Sequence, residues 1–197
     1  GYKIFVAIMT NANKGNPQRF SLNYIKSLRE EALKSHKYLK IKKTFFFDFP
    51  APNLDQVPIA KISDKIYDLL KIVKPSKTFI PHFGDSHHDH LIIHKASMVA
   101  LRPNSNTSKS DIYSYETLSE TEWGLKNYHS IFIPNYYVKL NKKNLNKKVK
   151  AFQIYKSQNK KAPHPRSKDN IINLAKLRGS NICGDFAEAF NIIRIIK

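Results

Sequence analysis

A run of ten residues, 81–90, holds most of the side chains in this sequence that could do chemistry together. It reads Pro-His-Phe-Gly-Asp-Ser-His-His-Asp-His and so contains four histidines and two aspartates. Neutral imidazole and carboxylate groups are suitable ligands for Zn²⁺ and other divalent transition metals. Histidine also titrates near neutral pH, which suits proton transfer in hydrolysis. The run therefore predicts a metal site or an acid–base site, without indicating its purpose.

The spacing inside this run indicates which side chains can act together. If a helix begins near Ser86, His87 and His90 lie three residues apart on one face and project into the same cleft. Asp89 could then orient one of the two imidazoles, as carboxylates commonly do around metal-bound histidines. His94, one turn further on, is interpreted as a packing or surface residue. The competing interpretation of the whole run is a solvated, histidine-rich loop without chemistry.

The elements that must position this run follow an alternating pattern. Apolar stretches predict strands, and apolar residues at spacings of three and four predict helices. In chain order the first half gives a strand at 2–9, a helix at 21–38, a strand at 43–47, a helix at 59–73 and a strand at 77–80. Short connections between such elements favour a parallel sheet with helices packed on it. Functional groups then lie in loops after the strands, here residues 10–19 and 81–90.

The second half of the chain is less regular in its pattern. It predicts a helix at 91–101, strands at 110–117 and 131–133, helices at 141–157 and 167–178, and a closing strand within 188–196. No internal repeat and no linker of domain scale interrupts the chain. A length of 197 residues suffices for one domain with a sizeable core. We therefore expect a single domain over residues 1–197.

The charge balance is strongly basic, with 34 Lys+Arg against 15 Asp+Glu and a net charge of +19. Such a charge attracts an anionic partner: nucleic acid, a phosphorylated substrate or an anionic membrane face. The alternative is the lysine-rich codon usage of an AT-rich genome, because the basic residues are scattered, with local excesses at 139–150 and 156–168. No RNA-binding aromatic signature or zinc-finger spacing accompanies them, so no DNA or RNA partner is expected. A phosphate-bearing substrate stays open.

The remaining composition bears on the compartment. The single cysteine, Cys183, excludes an internal disulfide and a multi-cysteine zinc site, which favours a reducing, cytoplasmic location. No apolar run approaches the ~18–20 residues needed to cross a bilayer, so no transmembrane segment is expected. No signal-peptide pattern is present, and the sequence begins with Gly1.

Residues 85–90, Asp-Ser-His-His-Asp-His, are similar to the Asp-x-His-x-Asp-His signature of the PIG-L/LmbE-like N-deacetylases. The order and spacing of Lys74-Pro75, of His82 and of Ala100-Leu-Arg102-Pro103 also resemble that family. Residues 115–123, Tyr-Glu-Thr-Leu-Ser-Glu-Thr-Glu-Trp, resemble a segment of its bacterial sugar-modifying members. The resemblance covers nearly the whole chain. It implies an α/β fold, a Rossmann-like three-layer sandwich with a mostly parallel sheet whose first strand is missing here.

The resemblance also implies an activity and roles for the clustered side chains. Members of this family use a catalytic zinc to remove the acetyl group from N-acetyl amino sugars. Here the substrate would be nucleotide- or glycan-linked, in surface glycan biosynthesis. His90 would bind the metal, and His87 would polarise or protonate the reacting amide. Asp89 would hold a histidine in its working tautomer.

Substrate binding is expected from three further side chains, those of Arg29, Asp85 and Trp123. The indole of Trp123, the single tryptophan, could stack on a pyranose face, although large aromatic residues more often anchor a core. Arg29 is the nearest match to the arginine that the family usually carries in this helix. The oligomeric state is left open.

The chain departs from the family pattern in one respect. The family's first motif, Ala-His-Pro-Asp-Asp, supplies two metal ligands and a general base, and no His-x-Asp-Asp string occurs in this sequence. His90 is then the one assignable ligand, whereas a catalytic zinc ordinarily has three from protein. Three explanations compete: a piece of a longer protein, a truncated product, or a non-catalytic remnant that acts as a binding domain. On the first explanation, which the intact 85–90 run favours, the full-length protein binds one zinc and this chain alone binds it weakly.

Overall fold

A computed structural model describes residues 1–103, 109–124, 127 and 129–196 of the chain. Its helices and strands follow in the order β1 (Phe5–Asn11), α1 (Ala12–Gly15), α2 (Leu22–Leu39), β2 (Lys43–Pro50), α3 (Ile59–Val73), β3 (Lys77–Pro81), α4 (His88–Ala100), β4 (Asp111–Tyr115), β5 (Tyr136–Leu140), α5 (Lys142–Gln153), α6 (Lys168–Ser180) and β6 (Phe186–Arg194). A short 3-10 turn, Leu54–Gln56, precedes α3. This order of strands and helices confirms the predicted α/β class.

Two compact units make up the described chain. The first unit consists of Gly1–Pro52 and Tyr137–Glu188, and the second of Asn53–Tyr136 and Ala189–Lys197. The first unit is thus built from two stretches of sequence that the second unit separates. That all of 1–197 is one domain stays a prediction.

The first unit begins with a strand–helix–strand arrangement. β1 and β2 pair in parallel from Phe5 opposite Lys43, with an irregularity between Ile8 and Thr10. The helix between them, α2, is capped at its N-terminus by Ser21, whose hydroxyl accepts a hydrogen bond from the Tyr24 N–H at 3.1 Å. This cap satisfies a backbone donor that would otherwise lack a partner. The C-terminal cap is Lys40, which adopts the left-handed conformation with φ 62°.

The C-terminal part of the first unit is mainly helical. Helix α5 contacts both α2 and α6, so it lies between them. Its apolar residues Leu145, Val149 and Ala151 are buried, while its lysines are exposed or half-buried. Because the apolar residues recur at helical spacing, one face of α5 packs inward and the opposite face carries charge.

The second unit contains the histidine-rich run. β3 pairs in parallel with β4 from Lys77 opposite Asp111, and β4 pairs antiparallel with β6, Tyr115 lying opposite Phe190. Helices α3 and α4 pack against each other. The apolar side chains of Leu54, Ile62, Leu101 and Ile112 are completely buried in this unit. Burying each such side chain stabilises the fold by about 1.5–3 kcal/mol.

Two predicted elements of the second half differ from the structure. Residues 131–133 form no strand; the nearby strand β5 begins at Tyr136 instead. Pro134 has no N–H that could donate a hydrogen bond to a neighbouring strand. The Asn135 N–H donates to Phe190 O, and the Asn135 side-chain oxygen accepts a hydrogen bond from the Ile192 N–H. The helix expected at 141–157 ends at Gln153, followed by turns. Among the described helices, none has both the length and the apolar content needed to cross a membrane.

Candidate functional site

The histidine-rich run lies at the carboxyl end of β3, where the chain passes into α4. His87 is the N-terminal cap of α4: its backbone is extended, and its Nδ1 accepts a hydrogen bond from the Asp89 N–H at 3.3 Å. His90 lies in the first turn of the helix. The two rings stack, with centroids 5.2 Å apart and planes inclined by 19°. The cap geometry therefore brings His87 and His90 together, although His87 itself is outside the helix.

His90 is held by the carboxylate of Asp85. Its Nδ1 donates a hydrogen bond to Asp85 Oδ2 at 2.7 Å, and the Asp85 side chain is completely buried. The other oxygen, Oδ1, accepts a hydrogen bond from the Thr121 hydroxyl at 2.6 Å. Because the Thr121 oxygen accepts the Thr117 N–H at 2.7 Å, its own proton is free to point at Asp85. A continuous chain of hydrogen bonds thus runs from the backbone through Thr121 and Asp85 to His90.

This chain of hydrogen bonds determines the tautomer of His90. A carboxylate can only accept, so the shared proton lies on His90 Nδ1 and leaves a lone pair on Nε2. A histidine whose Nδ1–H is held by a carboxylate is the usual arrangement for a metal ligand. The same lone pair can instead accept a proton. His90 is therefore prepared either to coordinate a metal or to act as a base.

Residues 117–124 hold the loop that carries Asp85, and we call them the clamp segment. Ser86 N–H donates to Glu120 O at 3.0 Å, and the Ser86 hydroxyl donates to Glu120 Oε2 at 2.8 Å. Gly124 packs so closely on the loop that a Cβ atom there would lie 1.9 Å from Gly84 O. Only glycine fits this approach. Side-chain bonds, backbone bonds and close packing therefore all fix the loop.

Asp89 has a different environment from the one that the sequence suggested. Its side chain is buried, and Oδ1 accepts a hydrogen bond from Leu54 N at 3.3 Å. Its Oδ2 makes no hydrogen bond to any described residue. Burial raises the pKa of this carboxyl, and the charge of the neighbouring His87 opposes that shift. The carboxylate bonded to a histidine ring is that of Asp85, and Asp89 instead ties the start of α4 to the turn at Leu54.

Two further histidines near the end of β3 support the loop. His94 Nδ1 donates to Pro81 O at 2.9 Å, and His82 Nε2 lies 2.9 Å from Ser130 O. The ring of Phe83 contacts both imidazoles, with centroid distances of 5.5 and 4.6 Å. Burial lowers the pKa of His94, which favours the neutral ring that donates to Pro81. These contacts are those of packing residues.

Tyr115 lies at the end of β4, close to Asp85. Burial, with a contribution from the Asp85 charge, raises the pKa of its phenol to about 12. Near neutral pH the side chain therefore stays uncharged. It completes the desolvated surroundings of Asp85 without competing as a base.

The remaining predicted site residues are more dispersed. Trp123 belongs to the clamp segment and its side chain is 58% exposed, as a sugar-stacking indole would be. Arg29 lies in the first unit, where it forms an ion pair with Asp48 and its guanidinium lies 4.8 Å from the Phe46 ring centroid. Asp48 also accepts a hydrogen bond from Asn11 Nδ2 at 2.6 Å. The structure thus groups Asp85, His87, Asp89 and His90 in the second unit with Trp123, and it places Arg29 in the other.

The described residues do not make up a complete zinc site. No group of three His, Cys, Asp or Glu side chains among them is arranged to hold a metal ion. Both oxygens of Asp85 are engaged, and His87 Nδ1 already accepts the Asp89 N–H. His90 Nε2 and Asp89 Oδ2, which has no partner among the described residues, are the donors that remain in this cluster, whereas a catalytic zinc ordinarily takes three from protein.

Of the clamp segment, Trp123 was predicted from sequence as a site residue, but Thr121 and Glu120 were not. Thr121 and Glu120 lie more than 30 residues after the loop that they hold. The resemblance of residues 115–123 to one group of deacetylases was the signal that could have identified them. The carboxylate of Glu188, outside the clamp segment, pairs with Lys148 at 2.5 Å.

Comparison with known proteins gives two kinds of similarity. The family model of PIG-L, described as GlcNAc-PI de-N-acetylase, matches residues 1–101, more than half of the chain. The match includes the whole histidine-rich run. No curated protein sequence matches the chain.

Several solved structures share the fold. The conserved protein TT1542 from Thermus thermophilus is 18% identical with a TM-score of 0.74, covering 100% of this chain and 84% of that protein. The N,N'-diacetylchitobiose deacetylase from Pyrococcus horikoshii is 21% identical with a TM-score of 0.73, covering 97% and 73%. A deacetylase of the teicoplanin biosynthesis pathway is 13% identical with a TM-score of 0.74, covering 96% and 86%. At these identities the likeness shows the fold.

Proposed function

Since the chain belongs to the PIG-L family of de-N-acetylases, we propose that it hydrolyses the N-acetyl group of an amino sugar and releases acetate and the free amine. The observation that carries this proposal is the pair of stacked imidazoles of His87 and His90, whose hydrogen bonds give them opposite functions. One ring presents a donor at Nε2 and the other a lone pair. Amide hydrolysis needs both, since the carbonyl oxygen becomes negative while the attacking water loses a proton, which the departing amine nitrogen takes up as the C–N bond breaks.

His87 is proposed to polarise the amide carbonyl. Its Nδ1 accepts a backbone N–H, so in the neutral ring the proton lies on Nε2. The neutral ring can therefore donate a hydrogen bond from Nε2 to the carbonyl oxygen of the amide. Such a donor stabilises the oxyanion that develops as the carbonyl is attacked.

His90 is proposed to supply the lone pair, with Asp85 as its positioning residue. Because both oxygens of Asp85 are committed to His90 and Thr121, its carboxylate is better suited to orienting the imidazole than to touching a sugar. Zinc remains the expected cofactor: when it is bound, the Nε2 lone pair of His90 would coordinate it instead of accepting a proton, and the metal would acidify the attacking water. The described residues supply no complete set of ligands for it.

The proposed substrate is an N-acetyl amino sugar linked to a nucleotide or a glycan, used in surface glycan biosynthesis. The support is the family membership together with the fold of a chitobiose deacetylase and of a teicoplanin-pathway deacetylase. Trp123 is proposed to stack on a pyranose ring, which its exposure allows. Arg29 is proposed to bind substrate through N–H groups that Asp48 leaves free, since a guanidinium has five.

Acetate release measured by proton NMR tests the reaction and the substrate class together. The full-length protein is incubated with N-acetylglucosamine, with its nucleotide-linked form and with an N-acetylated disaccharide, with and without added zinc. We expect acetate from at least one linked sugar and little from the free monosaccharide. No acetate from any of them would contradict the proposal.

A second candidate is a non-catalytic sugar-binding domain, which the incomplete set of metal ligands among the described residues favours. It predicts saturable binding of the same sugars without acetate release. Isothermal titration with each sugar, run beside the NMR assay, separates the two functions. Binding without turnover, with zinc present, would establish the second.

A further inference from the structure

The positive charge of this chain is concentrated in one of its two units. The first unit carries 23 Lys+Arg and 6 Asp+Glu, a net charge of +17, whereas the second carries 11 and 9, a net charge of +2. The two units are of similar length, so a lysine-rich codon bias would charge both alike. The excess of positive charge is therefore a property of the first unit and not of the composition of the chain as a whole.

Three neighbouring helices of the first unit display much of this charge. Helix α5, between α2 and α6, contains five lysines and no acidic residue. Exposed lysines on the three helices are Lys26, Lys34, Lys37, Lys142, Lys143, Lys150, Lys168 and Lys176. We call this set the basic helical face. Clusters of four to eight basic residues on such helices attract anionic lipid surfaces.

An apolar groove opens between two of these helices, α2 and α5. It has a volume of about 420 Å³, and Leu39, Leu140 and Phe152 are among its apolar lining residues. Lys147 and Lys148 also line it. Lys148 is paired with Glu188, whereas Lys147 forms no ion pair within the described part of the chain. An apolar hollow beside an ammonium group without a counter-ion suits an amphiphile with an anionic head.

Exposed leucines accompany the lysines. Leu33 on α2 is 50% exposed and Leu177 on α6 is 56% exposed. Large apolar side chains among lysines are typical of surfaces that lie at a lipid–water interface. Two arginines of this unit are engaged instead: Arg29 with Asp48 and Arg166 with Gln158. Nucleic-acid surfaces rely on arginine for base and phosphate recognition, so lipid is the better match for a face built of lysine.

We propose that the basic helical face docks the protein on an anionic phospholipid bilayer. Lysines bind headgroup phosphates, and the groove between α2 and α5 receives apolar parts of the lipid. Docking would be peripheral, since the lysines act at the surface and the leucines insert only shallowly. This inference does not depend on the proposed hydrolysis.

Vesicle flotation with the full-length protein tests the proposal. Vesicles of phosphatidylcholine alone are compared with vesicles in which about a third of the lipid is phosphatidylglycerol. We expect binding to the anionic vesicles only. Replacing Lys142→Gln, Lys143→Gln and Lys147→Gln together should lower that partitioning about 100-fold, because each lysine near an anionic surface contributes about 1 kcal/mol.

A matched variant controls for the loss of net charge. Lys61→Gln, Lys65→Gln and Lys71→Gln remove the same charge from exposed positions of α3 in the second unit. This variant should bind anionic vesicles within about threefold of the parent protein, since the first unit keeps its net charge of +17. Equal losses in the two triple variants would overturn the proposal, as would absence of vesicle binding by the parent. Tighter binding to an oligonucleotide than to vesicles at the same salt would overturn it in favour of a nucleic-acid partner.

Discussion

His87 and His90 show how the partner of one ring nitrogen sets the function of the other. His87 Nδ1 accepts a backbone N–H, whereas His90 Nδ1 donates to Asp85. Two adjacent imidazoles of one sequence motif thereby present a donor and a lone pair at Nε2. The assignment follows from hydrogen-bond partners, which spacing along the chain does not specify.

Thr121→Val tests whether the hydrogen-bond chain to His90 matters for function. Valine keeps the shape but leaves Asp85 Oδ1 without its donor, so the carboxylate and His90 lose their fixed orientation. We expect kcat to fall about 10–100-fold with little change in KM, because orientation acts mainly on the chemical step. Nitrogen chemical shifts of the His90 ring should move from the Nδ1–H tautomer towards a mixture.

Thr121→Ser is the matched control, since it keeps the hydroxyl and should restore both the rate and the chemical shifts. A purely structural role for Thr121 would lower stability in the valine variant and leave the His90 tautomer unchanged. That result would contradict the positioning role.

The chemistry of the run at 85–90 could be predicted from residue types, but the hydrogen-bond partners of its side chains could not. The sequence suggested Asp89 as the carboxylate that orients a histidine, because it is adjacent to His90. In the structure the Asp85 carboxylate accepts the hydrogen bond from His90, and the Asp89 carboxylate accepts one from the Leu54 N–H. A loop before a helix can bring residues five apart together, and only its backbone path shows which aspartate reaches the ring.

At the scale of elements, the predicted strands and helices of the first half lie within a few residues of those in the structure. Helix 59–73 and strand 77–80 agree with α3 and β3 because their apolar periodicity is unambiguous. The elements of the second half of the chain were predicted less accurately from sequence. Residues 131–133 are apolar, but Pro134 interrupts their pairing, and the contacts of the clamp segment with residues 84–86 depend on tertiary structure.

Gly124→Ala tests the close packing of the clamp segment. A Cβ atom would lie 1.9 Å from Gly84 O, so the backbone must shift. We expect a loss of about 1–3 kcal/mol in the free energy of unfolding, as for other overpacked sites, measured by urea denaturation. Gly184→Ala is the control: its Cβ would meet the flexible Lys139 side chain at 3.4 Å, and its cost should stay within about 0.5 kcal/mol. Equal stability of both variants would refute the packing argument.

His36 links α2 to β2 and to the segment that follows α5, and its environment predicts a dependence of stability on pH. Its Nδ1 lies 2.8 Å from the Thr44 hydroxyl, and its Nε2 lies 3.3 Å from the Tyr155 hydroxyl. Burial lowers the pKa of His36 below 6.5. The unfolded chain therefore takes up a proton first, so stability is present above pH 6.5 and is lost as the pH falls towards the folded-state pKa.

The measurement compares the parent with His36→Gln by urea denaturation at about pH 7.5 and about pH 5.5. The parent should lose on the order of 0.5 kcal/mol more than the variant on acidification, a value reduced for the partial exposure of the ring. His88→Gln, which removes an exposed histidine, should behave like the parent. Identical acid sensitivity of the parent and His36→Gln would show that His36 makes no contribution.

At the scale of the whole molecule, the charge distribution could not be predicted from sequence order. The basic residues looked scattered along the chain, because the first unit is assembled from residues 1–52 and 137–188. Only when these two stretches are combined does the +17 of one unit stand against the +2 of the other. The α/β class, in contrast, could be predicted from the alternation of strands and helices. The family resemblance of the run at 85–90 could also be recognised from sequence, since the fold class and the resemblance both depend on local patterns.

The central claim is that the histidine pair of the second unit carries hydrolysis of an N-acetyl group. The most direct test is the rate of acetate release from an N-acetylated disaccharide by the full-length protein and by its His87→Ala variant, which has no side-chain donor, with His88→Ala as the neighbouring control. Loss of an oxyanion donor should lower kcat about 100–1000-fold in His87→Ala, and His88→Ala should stay within about threefold of the parent. Equal rates for all three proteins, or no acetate from the parent, would contradict the account.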